Sequence, residues 1–296
     1  MRITSNITAN NAIYNLQNQQ TALNNLTEVV TSGQNVNQPS DNPGAMNTLL
    51  SATDSINSLN QYSTNITQGT TLLTTTSNAL SGISSVISQA EELAGSVSSG
   101  TSSTTSQTSV VEQLTSLKQQ LIDYGNTQSG DTYVLGGTDT STAPFSSSSD
   151  TYSGNSSQSE IEIAPNVTQS TSVNGGSVLL GTGSYGSTNI LQTLDNLISA
   201  VGSNNVTDIQ QGASDLEAAA TQVNNAQVDV SSRLTTLSNM STMNTNNLNT
   251  LQSVISNIQT VNSTTLGVEL QQQETAFSAA LSATEKVSQL SLLNYM

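Results

Sequence analysis

The chain has 296 residues, with no cysteine or histidine, and carries 20 acidic against 4 basic side chains for a formal net charge of −16. That inventory excludes disulfides, zinc sites of the Cys/His type, histidine-based triads and imidazole acid–base chemistry. The four cations, Arg2, Lys118, Arg233 and Lys286, are too few and too scattered to neutralise a run of phosphates or to hold an anionic membrane surface.

Only 33% of the residues are hydrophobic and 3% aromatic, which fits narrow cores, or cores completed by neighbouring subunits. No apolar run approaches the roughly 20 residues of a membrane span. The opening Met1-Arg2-Ile3-Thr4-Ser5-Asn6 leads into a polar stretch without the apolar segment of a cleavable signal peptide, so export would need another route.

Residues 1–125 read as helical, 126–187 as short strands and turns, and 188–296 as helical again. The expected fold is mainly α with a small β-rich insertion: an elongated rod of long coiled-coil helices from both chain halves, plus an outer β domain. In the first zone Ile13, Leu16, Leu23, Leu26 and Val30 fall on one helical face, and Gly33 is placed to end that helix. A turn-rich linker from Ser32 to Gly44 follows. Asn42 reads as the cap of the next helix, Pro43 as its first residue, and Asp41 as a charge near its positive end.

The second helix is expected over about 43–98, with a stripe through Leu49, Ala52, Ile56, Leu59, Ile66, Leu73, Leu80, Ile83, Ile87 and Leu93 in which steps of three, four and seven residues recur. Gly69, Gly82 and Gly95 interrupt it, each costing about 1 kcal/mol relative to alanine. A Ser/Thr-rich gap at 98–109 precedes a third helix carrying Val110, Leu114, Leu117, Leu121 and Tyr124.

The middle zone changes period. Tyr133-Val134-Leu135, Glu160-Ile161-Glu162-Ile163 and Ser177-Val178-Leu179-Leu180 are strand candidates between glycine- and asparagine-rich turns. Gly181-Thr182-Gly183-Ser184-Tyr185-Gly186 matches a dinucleotide-binding pattern, but no second βα unit follows it, so it reads as a flexible connector back to the rod. Asp131, Asp139 and Asp150 lack the ligand spacing of a calcium loop and read as turn caps. Asn65-Ile66-Thr67 matches a glycosylation sequon but lies inside a helix. Serine nucleophiles would need a lysine base, and no such motif surrounds Lys118 or Lys286. No catalytic residue, cofactor or metal is expected.

The last zone holds the longest register. Counting four and three from Ile209 gives Ala213, Leu216, Ala220, Val223, Gln227, Val230, Leu234, Leu237, Ser241, Asn244, Leu248, Leu251, Ile255 and Ile258. A continuous helix of some fifty residues would reach about 75 Å, and it cannot cover that stripe alone. A final helix over about 263–294 uses Leu266, Leu270, Phe277, Ala280, Leu281, Val287 and Leu290.

With these residues in view, the chain resembles the flagellin-like hook-associated proteins over essentially its full length. The resemblance rests on the Met1-Arg2-Ile3-Thr4 start, on Ser32-Gly33 followed by Pro39-Ser40-Asp41-Asn42-Pro43, on Gly136-Gly137-Thr138 through Pro144-Phe145, on Val230-Ser231-Ser232-Arg233-Leu234, and on the ending from Phe277-Ser278-Ala279-Ala280-Leu281 to Leu293-Asn294-Tyr295-Met296. Asn42, Ser231 and Met296 depart from the family's usual residues.

The resemblance implies a structural component of the bacterial flagellum, an adaptor at the hook–filament junction between hook-associated protein 1 and the flagellin filament. A short flagellin, or a non-flagellar helical surface fibre, is the alternative. It further implies self-association into a ring, a flagellar export chaperone, and export by the flagellar type III apparatus without a cleaved signal. Residues 1–42 and 259–296 would form an inner packing layer ordered on assembly, 43–130 and 187–258 the helical rod, and 131–186 the outer β-rich domain. The packing helices would use Ile13, Leu16, Leu23, Leu26, Val30, Leu266, Leu270, Phe277, Leu281, Val287 and Leu290. The rod core would use Ile56, Leu59, Leu73, Leu80, Leu216, Val223, Leu234, Leu237, Leu248, Leu251, Ile255 and Ile258.

Overall fold

The computed structural model describes the backbone of residues 2–98, 103–146 and 150–293, and their side chains except those of 2–6, 8, 9 and 287–293. Seven helices are described: α1 (Arg2–Ser32), α2 (Pro43–Val97), α3 (Thr104–Gly125), α4 (Gly175–Leu179), α5 (Ile190–Gly202), α6 (Val206–Gln259) and α7 (Ser263–Leu293). Two antiparallel hairpins, β1 (Gln128–Ser129) with β2 (Thr132–Tyr133) and β3 (Glu160–Ala164) with β4 (Val167–Ser170), make up the β part. The fold is therefore mainly α with a small β-rich insertion. No described helix is long and apolar enough to cross a membrane. The chain divides into two compact units, residues 1–58 with 247–296, and residues 59–246, the division falling inside α2 and α6.

In the first unit α1 pairs with α7. Gly33 takes a left-handed conformation at φ +68° and its amide donates back to Val29 O at 2.9 Å, which ends α1. The chain then forms a bridge between Gln34 and Thr260, and the Asn35 amide donates to Gln259 O at 2.9 Å. Asn42 Oδ1 accepts from the Ala45 amide at 3.0 Å, so Asn42 caps α2 and Pro43 opens it. Next to that cap Asp41 also folds the linker: its Oδ2 accepts from the amides of Asn37 and Gln38 at 3.0 and 2.9 Å.

The second unit holds the main core. Leu73, Leu80, Ile83 and Ile87 of α2, Leu114 and Leu121 of α3, Leu191, Leu194 and Leu197 of α5, and Leu216, Val223 and Val230 of α6 are buried in one cluster. Two of the helix-interrupting glycines have a packing reason. A Cβ on Gly69 would strike Ile161, and one on Gly82 would strike the Tyr124 ring. The missing side chains let the β3–β4 hairpin and α3 close onto α2. Nothing within 4 Å explains Gly95.

The middle of the chain differs from its sequence reading in five places. Ser177–Leu180 is not a strand: Gly175–Leu179 is one helical turn, capped by Asn174, whose side chain accepts from the Ser177 amide. A strand would send Val178 and Leu179 to opposite faces, whereas here both are buried together. The strand at Tyr133 stops there, with Val134 and Leu135 buried beyond it, and β4 is an additional strand of mostly polar residues. Helix α3 begins at Thr104, inside the expected gap, because Ser103 caps it by accepting from the Ser106 amide. Likewise, α5 is a separate helix capped by Asn189.

Candidate assembly surface

The terminal pair of the first unit is built on a thin seam. Along α1 the half-buried positions are Ala12, Leu16, Gln19, Gln20, Leu23, Leu26 and Val29; along α7 they are Leu266, Leu270, Gln273, Phe277, Ala280 and Thr284. Those on α7 follow a strict four-three alternation, the spacing that keeps a seam facing its partner. The helices run antiparallel, and Gln273 Nε2 donates to Gln19 O at 3.3 Å. Polar Gln19, Gln273 and Thr284 in the seam leave less apolar contact than an ordinary helix pair makes.

Other apolar side chains of these helices lie outside the seam. Ile13 is 50% exposed, Tyr14 64% and Val268 55%, and Ile7, Val30 and Leu281 are also exposed. Thus Leu16, Leu23, Leu26, Leu266, Leu270 and Phe277 are brought into the pair, while Ile13, Val30 and Leu281 stand outside it. The side chains of Val287 and Leu290 lie outside the described residues. In the same unit Ile56, Leu248, Leu251, Ile255 and Ile258 are half-buried. Beside the seam α1, α7 and the linker enclose an open cleft of about 660 Å³, lined by Leu26, Glu28, Val29, Asp41, Glu269 and Gln273 among others.

In the second unit Leu73, Leu80, Leu216, Val223 and Leu237 are fully buried, and Leu59 and Leu234 half-buried. The buried face of α6 also runs through Gly212, Ala219 and Ala226. These small residues are hard to see as a stripe in the sequence, yet Gly212 sits against Leu197 because it lacks a side chain.

Polar side chains join the β part and the connector to α6. Gln222, 1% exposed, donates through Nε2 to Val178 O at 2.7 Å and Thr188 O at 2.9 Å, and accepts the Thr188 amide on Oε1 at 3.0 Å. Asn225 Nδ2 donates to Tyr185 O at 2.9 Å. The Tyr185 hydroxyl donates to Asp229 Oδ2 at 2.7 Å, and Asp229 also pairs with Arg233. Arg233 reaches the second hairpin, donating from Nη1 to Ser170 Oγ and Ser172 O at 3.0 and 2.9 Å. The Gly181–Gly186 segment is therefore not a flexible connector but a pinned one, since α6 supplies partners for its backbone. Burial and then the Asp229 carboxylate push the Tyr185 hydroxyl well above the ordinary tyrosine value.

The Pro144-Phe145 segment is held in the same manner. Asn126 Nδ2 donates to Phe145 O at 2.8 Å while Asn126 Oδ1 accepts the Phe145 amide at 2.9 Å. Phe145, 2% exposed, lies 5.3 Å from the Tyr152 ring, whose hydroxyl donates to Leu135 O at 3.0 Å. Burial pushes Tyr152 up to about 12.

Lys118 bridges Asp150 and Asp195 at 2.8 and 2.7 Å, which gives Asp150 a role as an ion-pair partner. Asp139 accepts from the Ser141 hydroxyl. Asn65 donates its amide to Glu162 O at 2.8 Å, so the sequon side chain is already engaged. Among the described residues no three His, Cys, Asp or Glu side chains converge as a metal-holding group. Periodicity does not reveal Gln222, Tyr185, Asp229 or Asn126: Gln222 and Asn126 bond backbone distant in sequence, and Tyr185 and Asp229 bond each other's side chains across 44 residues. A polar residue adjoining a heptad core position, as Gln222 adjoins Val223, is the one sequence signal that could have marked such a hub.

Residues 3–140 match the bacterial flagellin N-terminal helical region. No curated protein is similar enough in sequence to match. Solved structures share the fold. A protein of Vibrio parahaemolyticus, described as a flagellar hook-associated protein, superposes with a TM-score of 0.68 at 21% identity, over 74% of this chain and 100% of that one. FlgL of Xanthomonas campestris gives 0.61 at 16% identity, over 69% and 99%. The flagellar hook-associated protein-3 of Legionella pneumophila gives 0.63 at 13% identity, over 70% and 98%.

Proposed function

We propose that this flagellin-like chain is a structural subunit of the bacterial flagellum and serves as the adaptor at the hook–filament junction, linking hook-associated protein 1 to flagellin. The observation that carries the reading is the terminal pair α1–α7. Its internal seam is narrow and partly polar, while Ile7, Ile13, Tyr14 and Val268 stay exposed on the remaining faces. Burying one such side chain contributes roughly 1.5–3 kcal/mol, so a helix pair of this kind gains most of its stability from company. Neighbouring copies and the adjoining hook and filament subunits are the company proposed. On this reading 1–42 and 259–296 form the inner packing layer, 43–130 and 187–258 the rod, and 131–186 the outer domain. Export proceeds through the flagellar type III apparatus, with a dedicated chaperone covering the terminal helices beforehand.

Deleting the gene tests the proposal directly. Hooks should remain while flagellin is released unpolymerised into the medium. Full-length filaments in the deletion strain would refute the junction role. A second reading, a short flagellin, is favoured by the match of residues 3–140 to the flagellin N-terminal region. It requires instead that the deletion remove the bulk filament protein from both medium and cell surface.

A further inference from the structure

The α1–α7 seam carries one polar layer among apolar ones. Gln273 Nε2 donates to Gln19 O at 3.3 Å, which puts these two residues at the same level of the antiparallel pair. Where α1 ends and α7 begins, the bridge between Gln34 and Thr260 agrees with that alignment. Counting outward from Gln19 and Gln273 along the half-buried positions sets Leu16 level with Phe277 and Ala12 with Ala280. In the other direction it sets Leu23 level with Leu270 and Leu26 with Leu266. Of these layers only the central one is polar. Within it Gln19 Oε1 is closed off from solvent yet finds no hydrogen-bond partner among the described residues. The neighbouring Gln20 bonds along its own helix, donating to Asn24 Oδ1 at 2.9 Å. Such a layer lowers the stability of a helix pair, so its effect lies elsewhere than in strength.

We propose that Gln19 and Gln273 are a register lock, selecting one alignment of α1 on α7 against those one heptad away. A purely apolar heptad seam tolerates such a slip, a slide of about 10 Å. In one sense it sets Leu16 against Leu270, and in the other Leu23 against Phe277. A polar layer removes the degeneracy because it is matched in a single alignment. Slipping one way places Gln19 against Leu266 and Gln273 against Ala12. Slipping the other way places Gln19 against Ala280 and Gln273 against Leu26. Either way the Gln273 amide loses its acceptor, and both amides enter apolar layers. The chain itself leaves room for the slide. Residues 33–42 join α1 to α2 and can extend once Gln34 parts from Thr260. Alignment in turn sets where the exposed Ile13 and Tyr14 of α1 stand relative to Val268 of α7. The interior layer thereby fixes the layout of the outer faces.

The chain has no cysteine, so pairs of introduced cysteines report the alignment in the full-length protein. Leu16→Cys with Phe277→Cys should form a disulfide on mild oxidation. Two pairs report the slipped alignments: Leu16→Cys with Leu270→Cys, and Leu23→Cys with Phe277→Cys. Both should cross-link roughly tenfold less, the discrimination given by one lost hydrogen bond in a buried layer. Adding Gln19→Leu and Gln273→Leu should raise a slipped reporter to a yield comparable with the native one. Gln19→Lys with Gln273→Glu, which restores a matched polar layer, should suppress the slip again. A double-leucine variant that cross-links in the native alignment alone overturns the proposal, because the Gln34–Thr260 bridge then suffices. Slipped cross-links in the parent background overturn it too, as does slip in the lysine–glutamate variant. If the native reporter fails to cross-link, the α1–α7 pair itself is absent and the lock falls with it.

Discussion

The Tyr185 hydroxyl donates a 2.7 Å hydrogen bond to Asp229, and Asp229 is the same carboxylate that steadies Arg233 over the β3–β4 hairpin. One acidic side chain on α6 thus ties down a loop and a hairpin that both lie far from it in sequence. Tyr185→Phe deletes only the hydroxyl. It should lower the stability of the 59–246 unit by about 1.5–3 kcal/mol, as expected for a hydrogen bond to a charged group. Urea unfolding followed by circular dichroism would show it, and an unchanged midpoint would mean that Arg233 alone satisfies Asp229.

Gln222 makes a stronger demand. Replacing it by Leu keeps the volume roughly constant but leaves Val178 O, Thr188 O and the Thr188 amide without partners in a buried place. Each unsatisfied group costs about 1–3 kcal/mol, so a loss of about 3 kcal/mol or more is expected. Hydrogen exchange should also quicken at Thr188, and protection equal to the parent's would disprove the pinning.

Lys118 sets a pH dependence. Burial works against its charge, but the hydrogen bonds to Asp150 and Asp195 prevail and hold it above the ordinary lysine value. Burial likewise raises Asp150, and Lys118 outweighs it, so the carboxyl sits below its ordinary value. The Asp150 contribution is present above the unfolded carboxyl value and disappears as pH falls through the depressed folded one. The Lys118 contribution is present below the unfolded lysine value and disappears as pH rises through the raised one. Lys118→Met should therefore cost about 1 kcal/mol at neutral pH, given partly exposed partners. The gap from the parent should close in acid. A gap that persisted unchanged at pH 2 would show that Lys118 contributes through packing alone.

The long stripe of α6 is uneven in depth. Val223 is fully buried, whereas Leu251, in the other unit, is only half-buried. Val223→Asp should prevent cooperative folding of residues 59–246, because a buried unpaired charge costs several kcal/mol. Leu251→Asp should cost about 1–2 kcal/mol in the isolated chain and should act mainly on assembly. Equal melting temperatures for the two variants would contradict this ranking.

Periodicity and capping chemistry were legible without coordinates. The recurrence of Leu and Ile every three and four residues predicts α2, α6 and α7, since a helix presents one face every 3.6 residues whatever surrounds it. Gly33, Asn42 and Pro43 mark helix ends through local backbone geometry alone. What tertiary structure decided are the contacts between residues far apart. Ser177–Leu180 became a buried helical turn because Asn174 caps it and α6 offers Gln222 to its carbonyl. The Gly181–Gly186 loop is held in place by Gln222, Asn225 and Asp229, which meet it. Gly69 and Gly82 turned from weak points into docking places for Ile161 and Tyr124. The α1–α7 seam runs past Gln19, leaving Ile13 outside. None of these follows from spacing, because hydrogen bonds and close packing depend on which distant atoms arrive, and only the folded chain brings them together.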